Sequence, residues 1–238
     1  FLFRSLFKEA TLHRQIIEVL SSRGKGLTLQ EIKDELGLSS GGTITKTLKD
    51  LQLCDFIRAY KSIGKQTKGM MYQLTDLFTL FHLRFLVKQT GQDQHYWTNL
   101  DEATHEAWAG YAFEMVCLHH IPQIKKKLGI TGVLTNAYSW STKPLKDKDG
   151  CEWKGTQIDL LLNRADQVIN VCEMKYSKHP YAISEAYDKR LRERLFIFKH
   201  HTKCKSALHI TFVTTFGLAR NMYSNRVQSE VVLDDLFG

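Results

Sequence analysis

Two neighbouring runs, Gly155 to Asn163 and Val168 to Tyr176, are apolar enough to be core strands yet carry Asp159, Glu173 and Lys175 within them. Side chains alternate across a strand, so Asp159 shares a face with Leu161 and Asn163, and Glu173 shares one with Lys175. Asp159 and Glu173 have the same parity. A hairpin turning near Asp166 therefore sets the two carboxylates opposite each other, with Lys175 one diagonal step away. Charges on a half-buried sheet are costly unless they are paired or used, so this cluster is the first place to look for chemistry. The bland account of the same residues is an ion pair on a sheet edge.

The surroundings give the cluster a fold. From Glu102 to Leu128 the pattern is helical, with Trp108, Tyr111, Ala112, Met115, Val116 and Leu118 as apolar residues. A strand-like run from Val133 to Trp140 precedes the two core strands. An amphipathic helix over Ala182 to His200 and a strand over Ala207 to Thr214 follow, and Val231 to Leu233 suits one more short strand. The order α-β-β-β-α-β predicts an α/β layer around a mixed sheet.

That order, with Asp159 in mid-strand and Glu173-Met174-Lys175 ending the next strand, resembles the PD-(D/E)xK nucleases, a superfamily that includes restriction endonucleases. The likeness spans roughly residues 102–235. Ile158 stands where the family pattern has proline. The resemblance implies that Asp159 and Glu173 hold Mg²⁺, an ion that prefers hard oxygen ligands. It also implies that Glu114 on the preceding helix joins them, and that Lys175 orients the attacking water or stabilises charge on the phosphate. Gln157 and the stripe Lys189, Arg190, Arg192 and Arg194 are candidate contacts to a nucleic-acid backbone. Members of this superfamily that have lost activity serve as binding platforms, which is the alternative expectation.

The first third of the chain reads differently. Leu12, Ile16, Ile17, Val19 and Leu20 recur at helical spacing, with Gly24 as a stop. Thr28 and Glu31 form a capping box opening a short helix that ends at Gly37. Ser39-Ser40 can cap a third helix with Ile44, Leu48 and Leu51 on one face. Phe56 to Tyr60 and Met70 to Leu74 then flank a Gly- and Lys-bearing turn, a hairpin signal. Three short helices and a hairpin resemble the winged helix. A DNA-binding winged helix would place Thr43, Thr45, Lys46 and Lys49 in the major groove and Lys61, Lys65 and Lys68 on phosphates. A winged helix used for protein docking fits the same residues, because the recognition face lacks Arg, Asn or Gln for bidentate base readout. Charge leans toward an anionic partner: residues 1–90 carry 14 Lys and Arg against 8 Asp and Glu, and residues 91–238 carry 19 against 17.

The expected division is a winged-helix domain at 1–75, a connecting helix and linker at 76–95, and the nuclease-like domain at 96–238. The connecting helix, Asp76 to Lys88, is apolar nearly all round and should be buried between domains or in a contact between copies of the chain. Thr90 to Gln94 is the most linker-like stretch. No apolar run approaches the roughly 20 residues of a membrane span, and the start Phe1-Leu2-Phe3-Arg4 is no signal peptide. Five scattered cysteines without a CxxC pair fit buried thiols in a reducing, cytoplasmic compartment better than a zinc or disulfide framework. Neighbouring His119-His120 and His200-His201 point about 100° apart on a helix and do not readily share one ion.

The whole chain resembles the C-terminal half of certain prokaryotic AAA-type ATPases, on the stretches Leu36 to Gly42, Thr156 to Asp159 and Glu173 to Lys175. In those proteins a P-loop domain precedes the winged helix. The chain has no GxxxxGK[ST] and no initiator Met, so it should bind no ATP by itself and should follow such a domain. Two functions follow as expectations: a Mg²⁺-dependent DNA endonuclease, or a catalytically silent DNA- or protein-docking module. A transcription regulator would instead need a closed apolar pocket in the second domain.

Overall fold

The computed structural model describes residues 5–7, 10–24, 26–39, 41–61, 63, 70–87, 95–146 and 152–238. The expected wing turn with Lys65 and Lys68, the expected linker at 90–94, Ser40, Cys151 and residues 1–4 lie outside the described residues. The chain divides into two compact units, one of residues 1–61 and 65–102 and one of 62–64 and 103–238.

The first unit contains α1 (Ala10–Ser21), β1 (Leu27–Thr28), α2 (Leu29–Leu36), α3 (Gly42–Leu53), β2 (Ile57–Lys61) and β3 (Met70–Leu74). Its strands form one antiparallel sheet in the order β1-β3-β2. The capping box is present: Glu31 N–H donates to Thr28 Oγ1 at 3.2 Å, and Thr28 N–H donates to Glu31 Oε2 at 2.7 Å. Gly37 closes α2 in the left-handed conformation at φ 64°. Ile16, Ile17, Leu20, Ile32, Ile44, Leu48 and Leu51 are the buried stripes of the three helices. Gly26 is irreplaceable on two counts: its φ is +72°, and a Cβ there would sit 2.4 Å from Tyr72 O.

One expectation for this unit is corrected. Helix α3 takes Gly41 as its N-cap without any side-chain hydrogen bond, so Ser39 does not cap it. The apolar helix after β3 is α4 (Leu77–Phe81) continued by a π-helical turn, His82–Leu86. Thr79 and Leu80 are its buried residues, whereas Phe78 is 67 % exposed in the single chain. Phe81 and Phe85 instead meet Trp97, with ring centroids 4.9 and 5.1 Å away.

The second unit is a mixed α/β layer. It contains α5 (Glu102–His119), α6 (Ile121–Lys127), β4 (Thr135–Thr142), β5 (Leu145–Lys146), β6 (Glu152–Trp153), β7 (Thr156–Arg164), β8 (Val168–Lys175), α7 (Glu185–Thr202), β9 (Ala207–Thr214) and β10 (Ser229–Val232). The main sheet runs β10-β9-β8-β7-β4, antiparallel from β4 to β8 and parallel from β8 to β10. The helical run predicted for 102–128 is two helices rather than one. Pro122 lacks an N–H and tolerates only a first helical turn, so the chain restarts at Ile121. The small β5–β6 ribbon was not foreseen.

Helix α7 packs its inward stripe on one sheet face. Ile197 and Phe198 join Trp140, Leu161, Ile169 and Val171, while Tyr187 and Leu191 join Ile210 and Phe212. Strand β8 is central and almost wholly buried, which is why its run reads as continuously apolar. Among the described residues no helix is long and apolar enough to cross a membrane.

Candidate functional site

The hairpin register decides which charges meet. Leu160 pairs with Cys172, Leu161 with Val171, Leu162 with Asn170 and Asn163 with Ile169, around a turn at Asp166. One further step on that register brings Asp159 level with Glu173. The ladder ends just before this step, although both strands continue. On the other side of β7, Tyr138 pairs with Leu161 but Trp140 pairs with Ile158. Strand β7 therefore spends two residues, Asp159 and Leu160, against Ser139 alone. A β-bulge of this kind bends the strand and re-aims a side chain, and here it falls on the carboxylate.

Glu173 lies on the α7 face of the sheet and is 5 % exposed. Both of its oxygens are engaged: the Arg194 guanidinium donates from Nη1 to Oε1, and the Tyr187 hydroxyl donates to Oε2 at 2.5 Å. Lys175 Nζ stands 3.9 Å from Glu173 Oε2, a loose pairing. Asp159 is half-buried and accepts from Gln157 Nε2. Around the Tyr187 ring, Lys175 Nζ and Arg190 Cζ each lie 5.3 Å from the centroid. Burial, then the Glu173 carboxylate, push the Tyr187 hydroxyl well above its usual range, so it remains a donor.

Glu114, on α5, belongs to the same electrostatic neighbourhood. Burial first, then the charges of Asp159 and Glu173, push its carboxyl up to about 7, with Lys175 pulling the other way. The sign of the stability effect follows. A carboxyl whose folded pKa is raised binds more protons in the folded state between its ordinary value of 4.5 and about 7. Stability is thus lost as pH rises through that window. Glu114→Gln is expected to remove this loss and to stabilise the fold at pH 8 by about 2–3 kcal/mol in EDTA, with little effect at pH 4.5. Chemical denaturation of both proteins at the two pH values checks it; an unchanged pH dependence would remove Glu114 from the cluster.

The donors suit Mg²⁺ in kind, being carboxylate oxygens in one neighbourhood where like charges already repel one another. Among the described residues, however, no three His, Cys, Asp or Glu side chains converge closely enough to hold an ion. As they stand, then, the described side chains do not form a divalent-ion site, and both Glu173 oxygens are taken by Arg194 and Tyr187.

Other candidates fall in different places. Thr43, Thr45, Lys46 and Lys49 are exposed along α3, and Lys61 is exposed at the end of β2. Thr45 Oγ1 donates back to Gly41 O at 2.8 Å, which leaves only its lone pairs for a partner. The basic stripe of α7 does not act as one surface, which corrects the expectation for it. Arg194 turns in to Glu173, Arg192 donates to buried Asp188 at 2.9 Å, and Arg190 and Lys189 remain exposed. Arg226 completes the pairing of Asp188 at 3.5 Å. Cys117 and Cys172 are buried thiols, but Cys54 is exposed, against the expectation of general burial. His120 Nδ1 lies 2.7 Å from Val116 O, a local contact within the helix end.

Tyr187 was the residue missed and the inward turn of Arg194 was not foreseen, although their spacing could have shown both. Tyr187, Leu191, Arg194 and Phe198 recur at i, i+4, i+7 and i+11, the inward stripe of a helix. An arginine on an inward stripe needs a buried carboxylate. In the second unit a hollow of about 230 Å³ is lined by Ile121, Pro122, Lys125, Thr131, Thr135, Ala137 and Leu162 and shares no residue with the carboxylate site.

Comparison with protein-family models, with curated proteins and with solved structures returned no match for the chain.

Proposed function

We propose that the chain is the DNA-handling part of an AAA-type ATPase, with a winged-helix unit ahead of a PD-(D/E)xK-type unit that hydrolyses phosphodiester bonds. The observation that carries this reading is the bulge on β7 at the point where its ladder with β8 ends. The β7–β8 register, carried one step past its last pair, brings Asp159 level with Glu173, with Lys175 two residues on and Glu114 within electrostatic reach. Glu114, Asp159 and Glu173 would hold Mg²⁺. When bound, the ion would offset charge on the scissile phosphate and lower the pKa of a bound water. Lys175, half-buried at the strand end, would donate to the charge that develops on the phosphate. Arg190, 5.3 Å from the centroid of the Tyr187 ring, would orient the backbone.

The order helix, strand, helix, helix, strand, strand and the β1-β3-β2 sheet support the winged-helix reading. Lys46 and Lys49 on α3 supply charge without bidentate base readout, so binding should be largely independent of sequence. Lys46→Ala with Lys49→Ala is expected to weaken duplex binding about equally on unrelated sequences. The slope of log K against log salt should also become shallower by about 2. Fluorescence anisotropy across a salt series checks this, and an unchanged slope would place DNA elsewhere.

A second reading, a silent docking module, is favoured by one observation: both Glu173 oxygens are already satisfied by protein donors. Divalent-dependent cleavage of plasmid or branched DNA by the purified chain separates the two readings.

A further inference from the structure

We propose that the outer face of α7, together with Trp153 of β6, is a stacking platform for the bases of single-stranded DNA. That the strand is DNA follows from the DNA-handling reading above; the face itself shares no residue with the carboxylate site.

The inward stripe of α7 consists of Tyr187, Leu191, Ile197 and Phe198, all buried. Phe196 lies off that stripe and is 54 % exposed, on the side of a helix that ordinarily carries polar residues. It is not an isolated surface hydrophobe. The Trp153 ring lies 5.1 Å from the Phe196 ring, centroid to centroid, and the His200 ring lies 6.1 Å away at an interplanar angle of 11°. His200 follows Phe196 at i+4, the spacing that brings two side chains onto one face. Trp153 comes from β6, which is paired with β5, and it also packs on the buried cluster of Trp140 and Phe198. The platform is thus tied to the core, so little ordering is required when a base arrives.

Charge identifies the occupant. Lys154 is exposed beside Trp153, and Lys199 and Lys203 are exposed three and seven residues beyond Phe196. Among the described residues none of these three ammonium groups pairs with a carboxylate. They outnumber Glu152 and Glu193, the exposed acids beside Trp153 and Phe196 in the sequence. Cations at a helix C-terminus offset the macrodipole, which accounts for Lys199 and Lys203 but not for Lys154 on its ribbon or for the rings. Exposed rings interleaved with ammonium groups match a polyanion that carries flat apolar groups. A duplex keeps its base faces inside the stack, whereas a single strand offers them, and every base has a π-face. The lysines would hold the phosphates, and contact would be largely independent of sequence.

The test is fluorescence anisotropy of the 238-residue chain with two labelled strands at equal salt. One is a thymidine homopolymer of about 16 nucleotides, and the other is an abasic strand of the same length. Phe196→Ala should weaken binding of the thymidine strand about tenfold or more and leave the abasic strand unchanged, because it removes a stacking surface and no charge. Phe196→Trp should keep the wild-type affinity. Equal binding of the thymidine strand by wild type and Phe196→Ala, an equal loss on both strands, or no binding by wild type would each overturn the platform. Self-association of the wild type that Phe196→Ala abolishes, without strand binding, would overturn it in favour of a contact between copies of the chain. DNA cleavage is read separately: loss of the platform leaves the phosphodiesterase reading standing, and stacking without cleavage would overturn that reading alone.

Discussion

Arg194→Ala is expected to cost the second unit about 3–5 kcal/mol of stability in metal-free buffer, because it leaves the Glu173 carboxylate buried without its cation. The reverse deletion should be milder. Glu173→Ala strands a guanidinium that is already 23 % exposed and can reach water, so a loss of about 1–3 kcal/mol is expected. Burial opposes the charged form of Arg194, and the Glu173 carboxylate beside it outweighs burial and holds the guanidinium charged. The double variant Arg194→Leu with Glu173→Leu should recover most of the loss, since replacing both members of a buried pair by apolar groups is often neutral. Urea unfolding in EDTA, read on the transition of the second unit, gives all three values. Equal costs for the two single variants would mean that burial does not set the asymmetry.

A larger effect is expected on chemistry. Asp159→Ala should lower divalent-dependent DNA cleavage by at least about 10³-fold, and Lys175→Met by about 10²–10³-fold, since each removes a charge placed where the phosphate would react. Neither should unfold the protein. Asp159 is half-buried, with Gln157 as its hydrogen-bond donor, and Lys175 pairs only loosely. The losses should appear in kcat rather than KM, because these groups act on the charge that develops in the transition state. A variant with unchanged kcat would remove its residue from the catalytic centre.

Much of the second unit was legible because period-two alternation leaves a strand little freedom. The parity of Asp159 and Glu173 and a turn at Asp166 were enough to set the register, and a one-residue slip would have thrown Leu161 and Val171 out of the core. Strand β9 was legible to its ends for a different reason, as a largely apolar run bounded by polar residues. The bulge at Asp159 and Leu160 was not legible, because it depends on how β4 pairs across the strand rather than on β7 itself. The basic stripe of α7 misled because sequence neighbours were grouped together. At 100° per residue, Arg190, Arg192 and Arg194 point to different surroundings, and only the helical stripe through Tyr187 and Leu191 shows that Arg194 turns inward. The apolar helix after β3 was legible only in part. Its composition gave an apolar helix, but not the π turn that follows Phe81 or which residues the single chain buries, Leu80 and not Phe78.

The central claim is that Asp159, Glu173 and Lys175 form one hydrolytic centre. Single-turnover cleavage of supercoiled plasmid and of branched DNA by the purified chain tests it most directly, with Mg²⁺ or Mn²⁺ against EDTA and with Asp159→Ala and Lys175→Met alongside. The account predicts cleavage that requires the divalent ion and is lost in both variants. Salt-sensitive DNA binding without cleavage under any divalent ion, or cleavage that survives in Asp159→Ala, would contradict it.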